Sequence, residues 1–258
     1  LLYRDSPVQS FSWPEDFSSG NGRIHIYTGD TWDERIYKIG QSRISPKTFT
    51  AESVTLFASP DSSFGVVDSV ISNARTSISI SMYEFTHPEL AGSVADAVSR
   101  GVNVTLLVEG GPVGGVSTEE KGVLNYLANA GAAVYTIEST DTLPARYRYL
   151  HTKYLVADEE ITLVLSENFK PTGIPLPGTR GNRGWGAAVQ SPEVADYFLK
   201  IFSEDLAGYD IHPYVPGTEP LPISWKDEVI PVRFPPHTVH NVKITPIVSP
   251  DTSYLIPE

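Results

Sequence analysis

Residues 150–168, Leu-His-Thr-Lys-Tyr-Leu-Val-Ala-Asp-Glu-Glu-Ile-Thr-Leu-Val-Leu-Ser-Glu-Asn, constrain this chain more than any other stretch. Two apolar, β-favouring runs, 149–157 and 161–165, flank the charged triplet Asp158-Glu159-Glu160. That pattern predicts a hairpin closed by a tight polar turn. Side chains alternate across a strand, so His151 and Lys153 share one face, and Ser166 and Asn168 share one on the return strand. With Glu159 and Glu160 as a two-residue loop, His151 falls opposite Asn168 and Lys153 opposite Ser166; a bulge at the turn would shift the pairing by one. In the unshifted register, one patch of sheet carries an imidazole, an ammonium, a hydroxyl and an amide within reach of each other. Such a group suits a tetrahedral oxyanion with a nucleophile beside it. Asp158 lies an odd number of residues from His151, hence on the other face, and is assigned a structural role.

Around the hairpin the chain alternates strand and helix patterns. Apolar strands are expected over 54–58, 77–85, 102–108, 133–137 and 185–189. Helical spacing (Phe64, Val67, Val70, Ile71) follows the first, with Ser59-Pro60-Asp61 read as a cap carrying Pro in the first turn. Further helices are expected over 88–100, closed by Gly101, over 119–129, stopped by Gly131, and over 192–206. Alternation of this kind predicts an α/β fold with helices on both faces of the sheet, and the antiparallel hairpin makes that sheet mixed. Residues 1–45 are polar with short β-like runs and turns, and read as the end of an upstream β-rich domain and a connector. The α/β unit takes 46–212. Residues 213–236 are Pro-rich and read as an extended linker. Beyond them, residues 247–254 (Ile-Val-Ser-Pro-Asp-Thr-Ser-Tyr) echo residues 57–64 (Phe-Ala-Ser-Pro-Asp-Ser-Ser-Phe), an offset of 249 − 59 = 190. This is the start of an internal repeat. A chain that opens on Leu1-Leu2 without Met is expected to be a piece of a longer protein.

The net charge of −12 and a pI near 4.9 oppose tight non-specific binding to a polyanion. With no Cys, disulfides and thiolate metal sites are excluded. No run reaches the roughly 18 apolar residues of a membrane span, and no basic segment followed by an apolar one opens the chain, so its location is left open. The loop over 109–115 is Gly-rich, but no Gly-Lys-Ser/Thr follows, and it reads as a turn at the rim of the site. Glu84 ends a strand on the same sheet edge, where it can orient a catalytic His or stand as an exposed or helix-capping carboxylate. Arg146, Arg148, Arg180 and Arg183 are the basic concentration near the hairpin; Arg146 and Arg183 are the candidate substrate contacts, with solvated charge as the alternative.

His151-x-Lys153-x4-Asp158 followed by Ser166-x-Asn168 resembles the HxKx4Dx6GSxN motif of the phospholipase D superfamily, with Leu165 standing where the family usually has Gly. The resemblance implies a metal-independent phosphodiester hydrolase or transferase without cofactor, in which two halves, each with one HxK, face each other across a shared site. One His attacks phosphorus to form a phosphohistidine and the other protonates the leaving alcohol. His151 takes one of these roles, and its place in the first half favours the nucleophile. Lys153 and Asn168 hold phosphate oxygens, supported by Ser166. The carboxylate that many members carry after the Asn is absent from Asn182-Arg183-Gly184-Trp185. The expected substrate is a phospholipid or another diester rather than nucleic acid. The expected partner is a second half in a longer chain, or a homodimer mate. A nuclease of the same chemistry and a non-catalytic binding module of the same fold are the alternatives.

Overall fold

The computed structural model describes residues 22–28, 31–37, 46–140, 144–223 and 231–249. The chain divides into two units. In the first, strands β1 (Gly22–Thr28) and β2 (Thr31–Tyr37) form an antiparallel hairpin in which Gly22 pairs with Tyr37 and Thr28 with Thr31.

The second unit, Phe49–Ile244, holds a nine-stranded mixed sheet and four helices. In chain order these are β3 (Phe49–Ser59), α1 (Ser63–Asn73), β4 (Ser77–Met82), α2 (Pro88–Ser99), β5 (Asn103–Glu109), α3 (Thr118–Ala130) and β6 (Ala133–Ile137). Then follow β7 (Lys153–Ala157), β8 (Ile161–Leu165), β9 (Gly184–Gln190), α4 (Pro192–Leu206), β10 (Ile211–Pro213) and β11 (His237–Ile244). Their spatial order is β10-β6-β5-β4-β7-β8-β9-β3-β11. Strands β4, β5 and β6 run parallel, as crossover helices require, and every other pairing is antiparallel.

Helices cover both faces, as the alternation predicts. Strand residues of one parity pack under α1–α3: Ile78, Ile80, Leu106, Leu155 and Leu163 meet Val67, Leu90, Val94 and Leu127. Those of the other parity, Leu107, Tyr154 and Val156, meet Ala195 and Phe202 of α4. The helix ends follow their sequence signals. Ser117 accepts the N–H of Glu120 at the start of α3, and Gly131, at φ +105°, closes it in the left-handed conformation. Ser191 caps α4, with Pro192 in its first turn. At α1 the cap expected at 59–61 gives way to a start at Ser63, because Ser59 completes β3 and turns its hydroxyl to the carbonyl of Gly173.

The central hairpin differs from the expected register by one. Ala157 pairs with Ile161 and Tyr154 with Val164, so the turn is three residues, Asp158–Glu160. Asp158 and Glu159 adopt φ of +55° and +58°. The cause lies outside the hairpin: the N–H of Asp158 donates to the carbonyl of Ser77, and its carboxylate accepts the N–H groups of Arg75, Thr76 and Ser77. These bonds pull Asp158 out of the ladder into the turn. Lys153 then falls opposite Leu165 rather than Ser166, and His151 precedes the strand.

Residues beyond α4 join this unit. Asn125 of α3 donates to the carbonyl of Glu219 and accepts from Gly217 N–H and the Tyr214 hydroxyl. Asp61 accepts the N–H of Arg233, and β11 pairs with β3. Of the repeat over 247–254, residues from 250 onward lie outside those described.

Candidate functional site

The strand directions collect one end of the sheet. The carboxyl ends of β4 and β5, the amino end of β7, the carboxyl end of β8 and the amino end of β9 all lie together. Carboxyl ends of parallel strands are where α/β sheets place their ligands. Tyr83, just past β4, donates its N–H to the carbonyl of Thr152 at 3.0 Å, which ties that strand end to His151 and Lys153.

The buried ring of Tyr83 is the surface these two side chains share. His151, itself exposed, stands edge-on to it with ring centroids 4.9 Å apart, and Lys153 Nζ lies 5.4 Å from its centroid. The Tyr83 hydroxyl accepts the N–H of Val113 at 2.9 Å, which pins the Gly-rich loop as the rim. Beneath the rim, buried Glu109 accepts the N–H of Leu150 through one oxygen (2.6 Å) and that of Gly111 through the other (2.8 Å). The residue before His151 is thereby fixed to the end of β5.

Asn168 arrives by a different route from the one its spacing implied. After β8 the chain bends, and Phe169 forms a parallel bridge with Phe85 while its carbonyl accepts from Thr86 and His87. This lays 168–170 beside the segment after β4. Asn168 donates to Glu84 at 3.1 Å, and Lys170 Nζ lies 3.1 and 3.2 Å from the two Glu84 oxygens. Glu84 therefore orients Asn168 and Lys170. Ser166 accepts the N–H of Trp185 (3.1 Å) and donates to Glu167 (3.4 Å), whose other oxygen accepts from Asn182 (3.2 Å). A Cβ at Gly184 would lie 2.5 Å from the Glu167 side chain. The carboxylate missing from 182–185 thus has Glu167 in the space next to it.

Leu165 is buried in the core, and the close packing its place calls for falls on the neighbouring strand. It pairs with Gly186, where a Cβ would lie 2.2 Å from the Phe57 ring.

The remaining candidates sit elsewhere. Asp158 caps the backbone of 75–77 at the far end of β7. Burial raises its pKa, but the N–H groups of Thr76, Ser77 and Arg75 outweigh this and hold it below the usual carboxylate value. Arg146 packs at the end of α4, with its guanidinium on Asp210 (2.7 Å) and on the carbonyls of Glu204 and Asp205. Arg183 pairs with Asp61 (2.8 Å) and lies over Phe234. Both arginines named as substrate contacts are engaged by carboxylates.

Burial and the Lys153 charge lower the His151 pKa, against the pull of Glu84, so its ring favours the neutral, nucleophilic form. Lys153 is lowered by burial, against Glu167 and Glu84. Two contributors escaped the sequence reading although a signal existed for one. Glu120 shares the spacing of Val123, Leu124 and Leu127, a carboxylate on an apolar helix face, and it is fully buried. Lys170 lies beyond the motif, and no spacing rule pointed to it.

The sequence profile of the family described as "Cardiolipin synthase, PLD-like domain" matches residues 67–206. The chain belongs to this family of phospholipase D-like domains, whose match spans most of α1, all of α2–α4, the β7–β8 hairpin and every motif residue. Among curated proteins, none matches. Among solved structures, the chain is similar to Nuc from Salmonella typhimurium, a phospholipase D family member, at 23% identity and a TM-score of 0.53 over 66% of this chain and 99% of that one. It is also similar to NucT from Helicobacter pylori, at 18% identity and a TM-score of 0.52 over 66% and 100%. These two likenesses show the fold. Among the described residues, no helix is long and apolar enough to cross a membrane.

Proposed function

We propose that the chain supplies one half of an active site that hydrolyses or transfers phosphodiesters through a phosphohistidine on His151, without metal. An unprotonated nitrogen of His151 attacks phosphorus while the bond to the leaving oxygen breaks. The alkoxide takes its proton from a second imidazole, contributed by the other half or by a second copy. Water or another alcohol, giving its proton to that imidazole, then attacks phosphorus and releases His151. Lys153 and Asn168 bind the phosphoryl oxygens, and Glu84 holds Asn168 in place.

The observation that carries this reading is an exposed imidazole set edge-on against Tyr83, with Lys153 against the same ring and a pKa displaced toward the neutral form. Lipid or another small diester is favoured over nucleic acid as substrate. The net charge is −12, and Arg146 and Arg183 already face carboxylates instead of forming an open basic groove.

The test is hydrolysis of bis-p-nitrophenyl phosphate in EDTA, with sedimentation of the same sample. Turnover is expected only in a dimer or in a longer chain that carries a second HxK. His151→Ala is expected to abolish it, along with the acid-labile phosphoprotein seen in rapid quench. Vigorous turnover by a proven monomer, or by the His151→Ala protein, overturns the reading.

A further inference from the structure

Beneath Glu84 lies a buried carboxylate that the chemistry above does not use. Glu120 is fully buried; one oxygen accepts the N–H of Phe85 at 2.9 Å, and the other is enclosed with no hydrogen-bond partner among the described residues. Phe85 is the residue after Glu84, so Glu120 holds the backbone that aims the Glu84 carboxylate at Asn168 and Lys170.

Four titratable groups on separate segments interact with Glu120. Glu84 follows β4, Glu109 ends β5, Lys170 lies on the 168–170 segment, and Tyr214 comes from the chain after β10. Three carboxylates stand close together with one ammonium. An enclosed oxygen with no donor is tolerable on a protonated acid and costly on a carboxylate.

We propose that Glu120 is a positioning residue that, by gaining or losing one proton, governs how well the His151–Lys153–Asn168 site takes a phosphodiester anion. Rests on the functional reading above, this extends it to the pH range of substrate binding. Burial first, then the charges of Glu84 and Glu109, outweigh the Phe85 N–H and Lys170 and push the Glu120 pKa up to about 7. Below that pH the group is neutral. Above it, a further negative charge lies under Glu84, where it repels an incoming anion and pulls Lys170 away from it.

Two measurements test this, with dimethyl phosphate as a diester whose single charge is fixed from pH 6 to 8. The Phe85 amide resonance, bonded to Glu120, is expected to step near pH 7 in the unaltered chain and to lose that step in Glu120→Gln. Dimethyl phosphate affinity, followed at the His151 ring resonances, is expected to fall about fivefold through the same step, consistent with a charge acting across a partly buried site. By reciprocity the bound diester raises the midpoint of the Phe85 step. In Glu120→Gln the affinity stays flat over that range. A Phe85 amide with no step between pH 6 and 8 overturns the proposal without any variant having to fold. A diester that binds at His151 with affinity flat through the step overturns this proposal alone. A diester that never perturbs His151 overturns the site reading and this proposal with it.

Discussion

Asp158→Ala separates two roles for the acidic residue of the hairpin motif. In the structure this carboxylate touches no site residue; it accepts N–H groups from Arg75 (2.9 Å), Thr76 (2.7 Å) and Ser77 (3.1 Å) and the Thr76 hydroxyl (2.9 Å). Each bond is partly open to water, so a net worth of about 0.5–1 kcal/mol apiece is appropriate, the low half of the usual range. Ala at φ +55° adds about 1 kcal/mol of left-handed strain, which Asp and Asn bear more easily. The sum is a loss of about 3–5 kcal/mol for Asp158→Ala and roughly half that for Asp158→Asn, which keeps one acceptor and tolerates the backbone. Urea unfolding followed by tryptophan fluorescence reads the difference. The folded pKa of Asp158 is depressed, so its contribution is present above the unfolded carboxylate value near 4 and lost as pH falls through the lower folded one. The stability gap between the parent chain and the Ala variant should therefore narrow as pH falls below the usual carboxylate value, leaving the strain at residue 158 as the remainder. An Asp158→Ala protein within about 0.5 kcal/mol of the parent at pH 7, yet devoid of phosphodiesterase activity in its assembled form, would show that the residue acts in the chemistry and refute the capping argument.

Arg146→Met leaves the buried Asp210 charge without its guanidinium, held only by the backbone N–H of residue 146, and is expected to cost about 3 kcal/mol of stability, with KM for a diester unchanged in whatever protein remains folded. A raised KM at unchanged stability would return Arg146 to the substrate. In the assembled enzyme, kcat/KM should climb at a lower pH than an ordinary imidazole gives, because burial and Lys153 depress His151; Lys153→Met should move that limb upward, and an unmoved limb would mean that the titrating group lies elsewhere.

How far the sequence reaches is set by what each part of the fold depends on. Periodicity carried the helices, since α4 begins and ends where Pro192 and Leu206 placed it, and β6 spans the expected 133–137. The hairpin existed as read, but its register turned on hydrogen bonds from Asp158 to residues some eighty positions away, which no local rule contains. Asn168 is a similar case. Strand alternation placed it opposite His151, whereas a bend followed by the Phe169–Phe85 bridge carries it to Glu84, the residue after Tyr83. Proline content reads 213–236 as an extended linker, and no local rule shows that the Asn125 and Asp61 side chains bind parts of it. Arg146 and Arg183 were legible as charges but not as ion pairs, because their partners Asp210 and Asp61 are distant in the chain.

The balance of charge at the site end of the sheet bears on why one half should be insufficient. Among the described residues, Lys153 and Lys170 are the ammonium groups there, and Glu84 already binds Lys170 while Glu167 and Glu84 act on Lys153. A phosphoryl group carrying negative charge into this setting meets one ammonium, Lys170, already paired with Glu84, and another, Lys153, that donates to the His151 carbonyl. Stabilising a transition state by several kcal/mol needs donors that are not otherwise engaged and that lie where the charge develops. On the half-site reading, those donors and the second imidazole arrive together when another half closes over His151. Assembly then supplies the electrostatic term as well as the proton, so diester affinity should strengthen with protein concentration in step with dimer formation. Titrating dimethyl phosphate at two protein concentrations on either side of the dimerisation constant checks this, and an affinity indifferent to assembly would place the whole anion site within a single chain.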